Sequence, residues 1–247
     1  MNYFFDYKYF LIKNLFLDFF FDFFYRKKRN IKKIIHKNGY IEEYYSSNNP
    51  KEGKKREYRE DGSILREEYF RNGKRHGFSK KFYPSGNLES IQNFEENMLE
   101  GLSFEYFDIQ NSIKTIKHYK KNKIDGLCSE FYENNLIFSI CYIHENKKSG
   151  CYSIFYKNGN LQQETNFLND IRHGYHRKYY DNGKLFKEIH YKYGIKIGPS
   201  YTYFRTGEIA SECFYQNDKI EGKNTKYYHS KKENGYTLGE INYDYFK

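Results

Sequence analysis

The sequence predicts an all-β protein: an elongated, single-layer antiparallel β-meander of about eight 24-residue hairpin repeats, with a short N-terminal helical or unstructured segment ahead of it. Three observations carry that expectation. Glycines recur at Gly53, Gly77, Gly101, Gly126, Gly150, Gly174, Gly198 and Gly222, spaced by 24 residues except for one interval of 25 between Gly101 and Gly126. The 247 residues include 29 Tyr and 23 Phe against only 38% hydrophobic residues in all, which suits thin aromatic packing between strands better than a thick aliphatic core. Between the turn residues lie segments such as residues 79–83 and 88–94, too short for helices and rich in strand formers.

With each anchor glycine as position zero, position +5 reads Tyr58, Phe82, Tyr106, Phe131, Phe155, Tyr179, Tyr203 and Tyr227, aromatic in every copy. Position +6 is aromatic too, with Arg59 the exception. An aliphatic marker at +11 (Ile64, Leu88, Ile137, Leu161, Leu185, Ile209) and a second marker at +17 (Phe70, Phe94, Ile143, Phe167, Tyr191, Tyr215) complete the frame. In the longer copy both fall one place later, at Ile113 and Tyr119, which puts the inserted residue near Gln110 and Asn111.

Each copy turns twice. Pairs such as Asp61-Gly62, Asn158-Gly159 and Asn182-Gly183 mark one turn; Gly73, Asn97, Asn122, Asn146, Asp170, Gly194 and Asp218, four residues before the later anchors, mark the other. These residue types tolerate the positive φ of tight hairpins. The stretches between turns read as two antiparallel strands per copy, and at about 4.8 Å per strand one copy advances the sheet by about 10 Å. Alternation puts the odd positions from +11 to +17 on one face, where Tyr and Phe can be buried. Glu67, Glu164, Glu188 and Glu212, at +14, fall on the other, where they can pair with Lys or Arg across strands. The anchor glycine is expected to make room for an aromatic ring from an adjacent strand.

The formal net charge of +10 is unevenly placed. Arg26, Lys27, Lys28, Arg29, Lys32, Lys33 and Lys37 follow one another without an acid, and the array beyond them is close to balanced, so it creates no strong field toward a phosphate backbone. Nucleic acid is therefore not an expected partner of the array. The chain divides into an aromatic and basic segment, residues 1–37, and a repeat array, residues 38–247. The first 25 residues lack the basic start, unbroken apolar run and small-residue cleavage site of a secretory signal, and charged residues interrupt any spanning helix. Three readings stay open for this segment. It is a peripheral anchor in which Arg26, Lys27, Lys28, Arg29, Lys32 and Lys33 contact anionic lipid, a cap on the open end of the array, or a start codon assigned too far upstream. The anchor reading places the array in the cytoplasm, at the inner face of a membrane. Cys128, Cys141, Cys151 and Cys213 form no CxxC pair and no zinc-ligand spacing, and read as small hydrophobes in a reducing compartment.

Residue patterns that support catalysis are missing from the sequence. His76 and His173 occupy equivalent positions four copies apart, too far along the sheet to share a ligand sphere, and glutamates at +14 of successive copies stand too far apart for a coupled acid–base pair. There is no GxSxG elbow, no GxxxxGK[ST] loop and no cysteine with an evident His partner. The chain reads as a non-enzyme without a cofactor.

The run Phe70-Arg71-Asn72-Gly73-Lys74-Arg75-His76-Gly77 resembles the membrane-occupation-and-recognition-nexus (MORN) repeat, whose core reads aromatic-x-Asn-Gly-Lys-x-His-Gly. The wider pattern, glycine, two aromatics at +5 and +6, Asn-Gly and then Leu, is similar to the bacterial and viral variant of that repeat, including the proteins grouped as YwqK-type antitoxins. This chain lacks Trp, and Ser79 and Ser103 stand where the better-known form has a second glycine. The resemblance implies a scaffold for protein association, with membrane or phosphoinositide contact proposed for some members. The expected function is a non-catalytic scaffold that binds a protein partner at a membrane surface; the alternative is an antitoxin that neutralises a partner toxin. Homo-oligomers joined through the open edges of the meander are a further expectation.

Overall fold

The computed structural model describes residues 30–36, 39–45, 51–109, 112–232 and 235–245, and every regular element among them is a β-strand. No helix among the described residues is long and apolar enough to cross a membrane. The expected anchor at residues 1–25, the basic residues Arg26, Lys27, Lys28 and Arg29, and the insertion site at Gln110 and Asn111 lie outside the described residues.

Two compact units divide between Met98 and Leu99. The first holds β1 (Asn30–His36), β2 (Gly39–Tyr45), β3 (Gly53–Tyr58), β4 (Ile64–Arg71), β5 (Lys74–Phe82) and β6 (Leu88–Glu95), each antiparallel to the next. A short β7 (Met98–Leu99) stands at the division. The second unit holds β8 (Gly101–Tyr106), β9 (Ile113–Lys120), β10 (Lys123–Phe131), β11 (Ile137–His144), β12 (Lys147–Phe155), β13 (Leu161–Leu168), β14 (Ile171–Tyr179), β15 (Leu185–Lys192), β16 (Ile195–Tyr203), β17 (Ile209–Gln216), β18 (Lys219–Lys232) and β19 (Gly235–Tyr245). These too pair with their chain neighbours in antiparallel register. The all-β hairpin meander is the architecture of both units. Its first described strand is Asn30–His36, so Lys32 and Lys33 stand on a paired strand.

The two turns of each copy differ in kind. Between +6 and +10 the chain makes a three-residue loop in which only the last residue is left-handed: Tyr156 N–H donates to the Asn160 carbonyl (2.8 Å), Gly159 N–H donates back to the Tyr156 carbonyl (2.9 Å), and Gly159 has φ +86°. This is a type I turn closed by a glycine bulge. Ahead of each anchor from Gly77 onward, two successive residues are left-handed, as in Glu145 (φ 46°) and Asn146 (φ 67°) or Asn169 (φ 50°) and Asp170 (φ 67°), which is the two-residue turn whose twist matches the flanking strands.

The copies anchored at Gly77, Gly126, Gly150, Gly174 and Gly198 also carry two bulges each, and these correct two expectations. At +4/+5 the register slips, so that Lys178 opposes Lys187 while Tyr179 opposes Leu185 and Phe186 is left over. That extra residue breaks the alternation, so +11 does not share a face with +13, +15 and +17; Leu185 sits opposite the +5 aromatic instead. The second bulge surrounds the anchor glycine. Thr165 opposes His176 and Phe167 opposes Arg172, so residues 173–175 bow out against Asn166 alone. Anchor glycines were expected to admit a neighbouring ring; at Gly126 (φ +137°) a Cβ would meet the His118 side chain at 3.0–3.3 Å, but at Gly150 (φ +87°) and Gly198 (φ +71°) it would meet nothing within 4 Å. Glycine is required there by the left-handed backbone of the bulge, not by a close approach.

Burial follows from this register. In the second unit a line of register partners crosses the strands: Cys128, Cys141, Tyr152, Thr165, His176 and Ile189. All but Tyr152 are buried. Phe104 on β8 is fully buried. The rows are narrow, so small or polar side chains such as Ser79, Ser103, Ser139 and Ser200 serve as core.

Charge alternates from strand to strand in the first unit. Lys33 is the register partner of Glu42, Glu42 of Arg56, Arg56 of Glu67 and Glu67 of Lys80; beside this line run Lys32, Glu43, Lys55 and Glu68. Opposite charges facing each other across strands contribute about 0.2–1 kcal/mol per pair.

Candidate interaction surface

Most residues singled out by the repeat frame hold the array together. The +6 tyrosines reach one copy onward: the hydroxyls of Tyr132, Tyr156 and Tyr180 donate to the +5 carbonyls of Phe155 (2.8 Å), Tyr179 (2.8 Å) and Tyr203 (2.7 Å). Arg59, the one non-aromatic residue at +6, donates from its guanidinium to the Phe82 carbonyl, the same acceptor position, and also to the Ile64 carbonyl (2.9 Å). Phe138 and Phe186, the residues left over in their bulges, pack edge-on or tilted against Tyr132 and Tyr180, with ring centroids 5.2 and 5.1 Å apart.

At the opposite turns the Asn or Asp four residues before an anchor stitches neighbouring turns. The Oδ1 of Asn97, Asn122, Asn146, Asp170 and Asp218 accepts from the N–H of Arg75, Leu99, Ile124, Lys148 and Lys196, at 2.7–2.9 Å. The N–H of the same residue donates back to the same partner's carbonyl, so the side chain imitates a strand peptide. Sequence reading explained these residues by φ alone; the stitch was not legible because its partner lies 22 or 23 residues away. Gly73 and Gly194 keep only the backbone half of it.

Three of the four +14 glutamates, Glu67, Glu164 and Glu188, sit in ion-pair networks, as their pattern suggested, whereas Glu212 accepts from the Tyr227 hydroxyl (3.0 Å). Glu67 accepts from Lys54 (2.6 Å) and Arg56 (2.8 Å), with the Lys54 and Glu67 side chains only 8% and 9% exposed. Arg177 bridges Glu164 (3.3 Å) and Glu188, and the Tyr179 hydroxyl donates to Glu164 (2.7 Å). Burial, then this carboxylate, pushes the Tyr179 hydroxyl up, while the bond to Glu188 raises the Arg177 guanidinium. Two residues before the anchors, cations lie over +17 rings: Arg75 on Phe94 (4.1 Å), Arg172 on Tyr191 (5.5 Å) and Lys196 on Tyr215 (5.2 Å).

A site with the character of a contact surface appears where individual copies depart from the frame. Position +19 is the first residue of the two-residue turn, and it is Asn, Glu or Lys in every described copy except one, which has Tyr193. A bulky residue in the left-handed region is strained, and Tyr193 holds φ 49°. Its side chain is 60% exposed, its ring packs at 4.7 Å on His173, and its N–H approaches Nδ1 of His173 at 3.4 Å. Three residues before an anchor the frame usually places Lys (Lys74, Lys123, Lys147, Lys219), but in the adjoining copies it places Ile171 and Ile195, 47% and 40% exposed. Leu168, register partner of Ile171, is 40% exposed. Three exposed aliphatic residues and one exposed tyrosine thus stand at the turn ends of β13 to β16. Averaging over copies hides them, and only a comparison of each copy with the frame would have found them.

Among the described residues no group of three or more His, Cys, Asp or Glu side chains could hold a metal ion. Cys128 and Cys141 are register partners and both thiols are free; a hydrogen bond to Cys141 and burial push the Cys128 thiol up, and the same bond holds Cys141 down. His176 is buried and bonded through Nδ1 to the Thr165 hydroxyl (2.8 Å). Burial, followed by the charges of Arg172, Lys178 and Lys187, pushes it down to about 4, so it is a neutral core residue near pH 7.

No curated protein matches the chain. The MORN repeat variant matches five segments, residues 51–72, 75–96, 148–169, 172–193 and 196–217, which include the ion-pair networks of Glu67 and Arg177 and the residues Leu168 and Tyr193.

Proposed function

We propose that the chain is a non-catalytic scaffold that binds a protein partner through the exposed cluster of Leu168, Ile171, Tyr193 and Ile195. MORN repeats are commonly protein- or membrane-interaction modules, and the observation that selects this surface is Tyr193, a strained and exposed aromatic where the other copies carry Asn, Glu or Lys. An exposed tyrosine close to exposed aliphatic residues suits a binding hot spot, since it buries a large area with few torsions to freeze. The basic Arg172, Lys192 and Lys196 around it favour an acidic partner surface.

The test returns the cluster to the residues of the other copies, as Tyr193→Asn with Ile171→Lys and Ile195→Lys. Tagged wild type and the triple variant are used for affinity capture with quantitative mass spectrometry, alongside thermal unfolding. A protein enriched with wild type and lost with the variant, whose unfolding temperature is unchanged or higher, supports the reading. Equal retention of every enriched protein refutes it. The narrower antitoxin reading adds one requirement: the captured partner is toxic when expressed alone and harmless when this chain is co-expressed.

A further inference from the structure

Among the described residues β1 pairs only with β2 and β19 only with β18, so each leaves one backbone edge without a strand. Along the register lines that start at Lys32 and Lys33 the charges of the first unit alternate: Lys32 and Lys33 on β1, Glu42 and Glu43 on β2, Lys55 and Arg56 on β3, and Glu67 and Glu68 on β4, where Arg66 and Arg71 leave the strand neutral as a whole. The next strand outward from β1 in that series is acidic. The strand β19, Gly-Tyr-Thr-Leu-Gly-Glu-Ile-Asn-Tyr-Asp-Tyr, carries Glu240 and Asp244 and no base. Neither edge contains the proline that would block a ladder.

We propose that the outer edge of β1 takes the β19 edge of a second copy of this chain, so that copies associate head to tail by continuing the antiparallel meander. Charge chooses the pairing. Two β1 edges would set Lys against Lys and two β19 edges would set acid against acid, both unfavourable across a ladder, whereas β1 against β19 extends the alternation. The contact joins different surfaces of each copy, so it is heterologous and leaves a free β1 and a free β19 at the ends of every assembly, which can add further copies. This surface is separate from the Tyr193 cluster, and it stands or falls independently of the partner proposed there.

Two charge variants of the full chain test it: Lys32→Glu with Lys33→Glu, which makes both edges acidic, and Glu240→Lys with Asp244→Lys, which makes both basic. Sedimentation velocity is run on each protein over a range of concentration and salt, with far-ultraviolet circular dichroism confirming the β content. Wild type is expected to show a larger species that grows with concentration and shrinks with salt. Each variant alone is expected to lose that species, and an equimolar mixture of the two is expected to regain it, because acidic β1 then meets basic β19 and basic β1 meets acidic β19. Wild type that stays monomeric throughout overturns the proposal, whether residues 1–29 or nothing covers β1. Variants that associate as wild type does, or a mixture of folded variants that stays monomeric, overturn it equally.

Discussion

Replacing Glu67 by Leu tests whether the charge ladder of the first unit is structural. The Glu67 carboxylate holds Lys54 at 2.6 Å and Arg56 at 2.8 Å, and the Lys54 side chain is only 8% exposed. Arg56 is 29% exposed and can turn toward water when the carboxylate is removed. Lys54 has less room to do so; its ammonium lies 5.1 Å from the Tyr69 ring, which offsets only part of the loss. Removing one member of a buried pair costs about 3–5 kcal/mol, and the flexible lysine stem puts this case near the lower end, at about 3 kcal/mol. The double replacement Lys54→Met with Glu67→Leu removes both charges at similar volume and is expected within about 1 kcal/mol of wild type. Urea unfolding followed by circular dichroism and tyrosine fluorescence reads the difference; with a slope of about 2 kcal/mol/M the single variant shifts the midpoint by about 1.5 M. In a repeat array the shift belongs to the transition of the first unit, with the second unit's transition unmoved. A single variant within about 1 kcal/mol of wild type, or a double variant as unstable as the single one, would refute the reasoning.

Further outcomes follow from other parts of the fold. Asn146→Ala forces alanine into the left-handed region (φ 67°) and removes the 2.7 Å bond to Ile124, costing about 2 kcal/mol; Asn146→Gly loses only the exposed bond and costs about 0.5–1 kcal/mol by the same denaturant assay. Arg59→Tyr is expected to keep the bond to the Phe82 carbonyl and stay within about 0.5 kcal/mol of wild type, whereas Arg59→Ala loses about 1–2 kcal/mol. His176 titrates near 6.5 when unfolded and about 4 when folded, so the unfolded chain binds the extra proton between those values. Stability is then full above pH 6.5 and falls as pH drops toward 4, by about 3 kcal/mol, and His176→Ser, the residue at +2 in three other copies, removes that loss in a pH series of unfolding curves. Under native conditions a maleimide labels the exposed Cys151 first, with Cys128 and Cys141 reacting only on unfolding, as counted by intact mass.

The fold was legible because its determinants are local and recur. Left-handed turn residues, strand-forming segments and the +14 glutamates are each set by a few neighbouring residues, and repetition at 24 residues multiplies a weak signal. The unmatched stretch 97–147 shows the strength of that frame: apart from the one extra residue between Gly101 and Gly126 and the division of one strand into β7 and β8, it keeps the strand and turn order of the matched copies on either side. Three things were hidden. Bulges at +4/+5 and at the anchor glycine change which side chains share a face, and a strict alternation rule cannot register an extra residue in one strand only. The stitches by Asn146 and Tyr156 join residues 22 and 23 apart, so they exist only once the copies are stacked. The start of the sheet was misjudged by composition: the basic run continues into β1, where Lys32 and Lys33 face Glu43 and Glu42 in register, so a truncation after residue 37 would remove a strand along with any anchor.

The departures from the frame have a physical logic of their own. Each copy contacts chiefly its neighbours, so a costly residue in one turn lowers stability locally and leaves distant copies unaffected. Tyr193 accepts a left-handed backbone where asparagine would sit at ease, and Gly194 beside it keeps only the backbone half of the Asn or Asp stitch. Two weaknesses in a single turn are tolerable because the stitches on either side, through Asp170 and Asp218, remain intact. The same turn displays the tyrosine beyond the strand ends, where a partner can enclose it and water is otherwise its only neighbour on that side. An array of interchangeable copies can therefore concentrate binding in one or two exceptions, and the residues to mutate for function are those that break the period while those that keep it are the ones to mutate for stability.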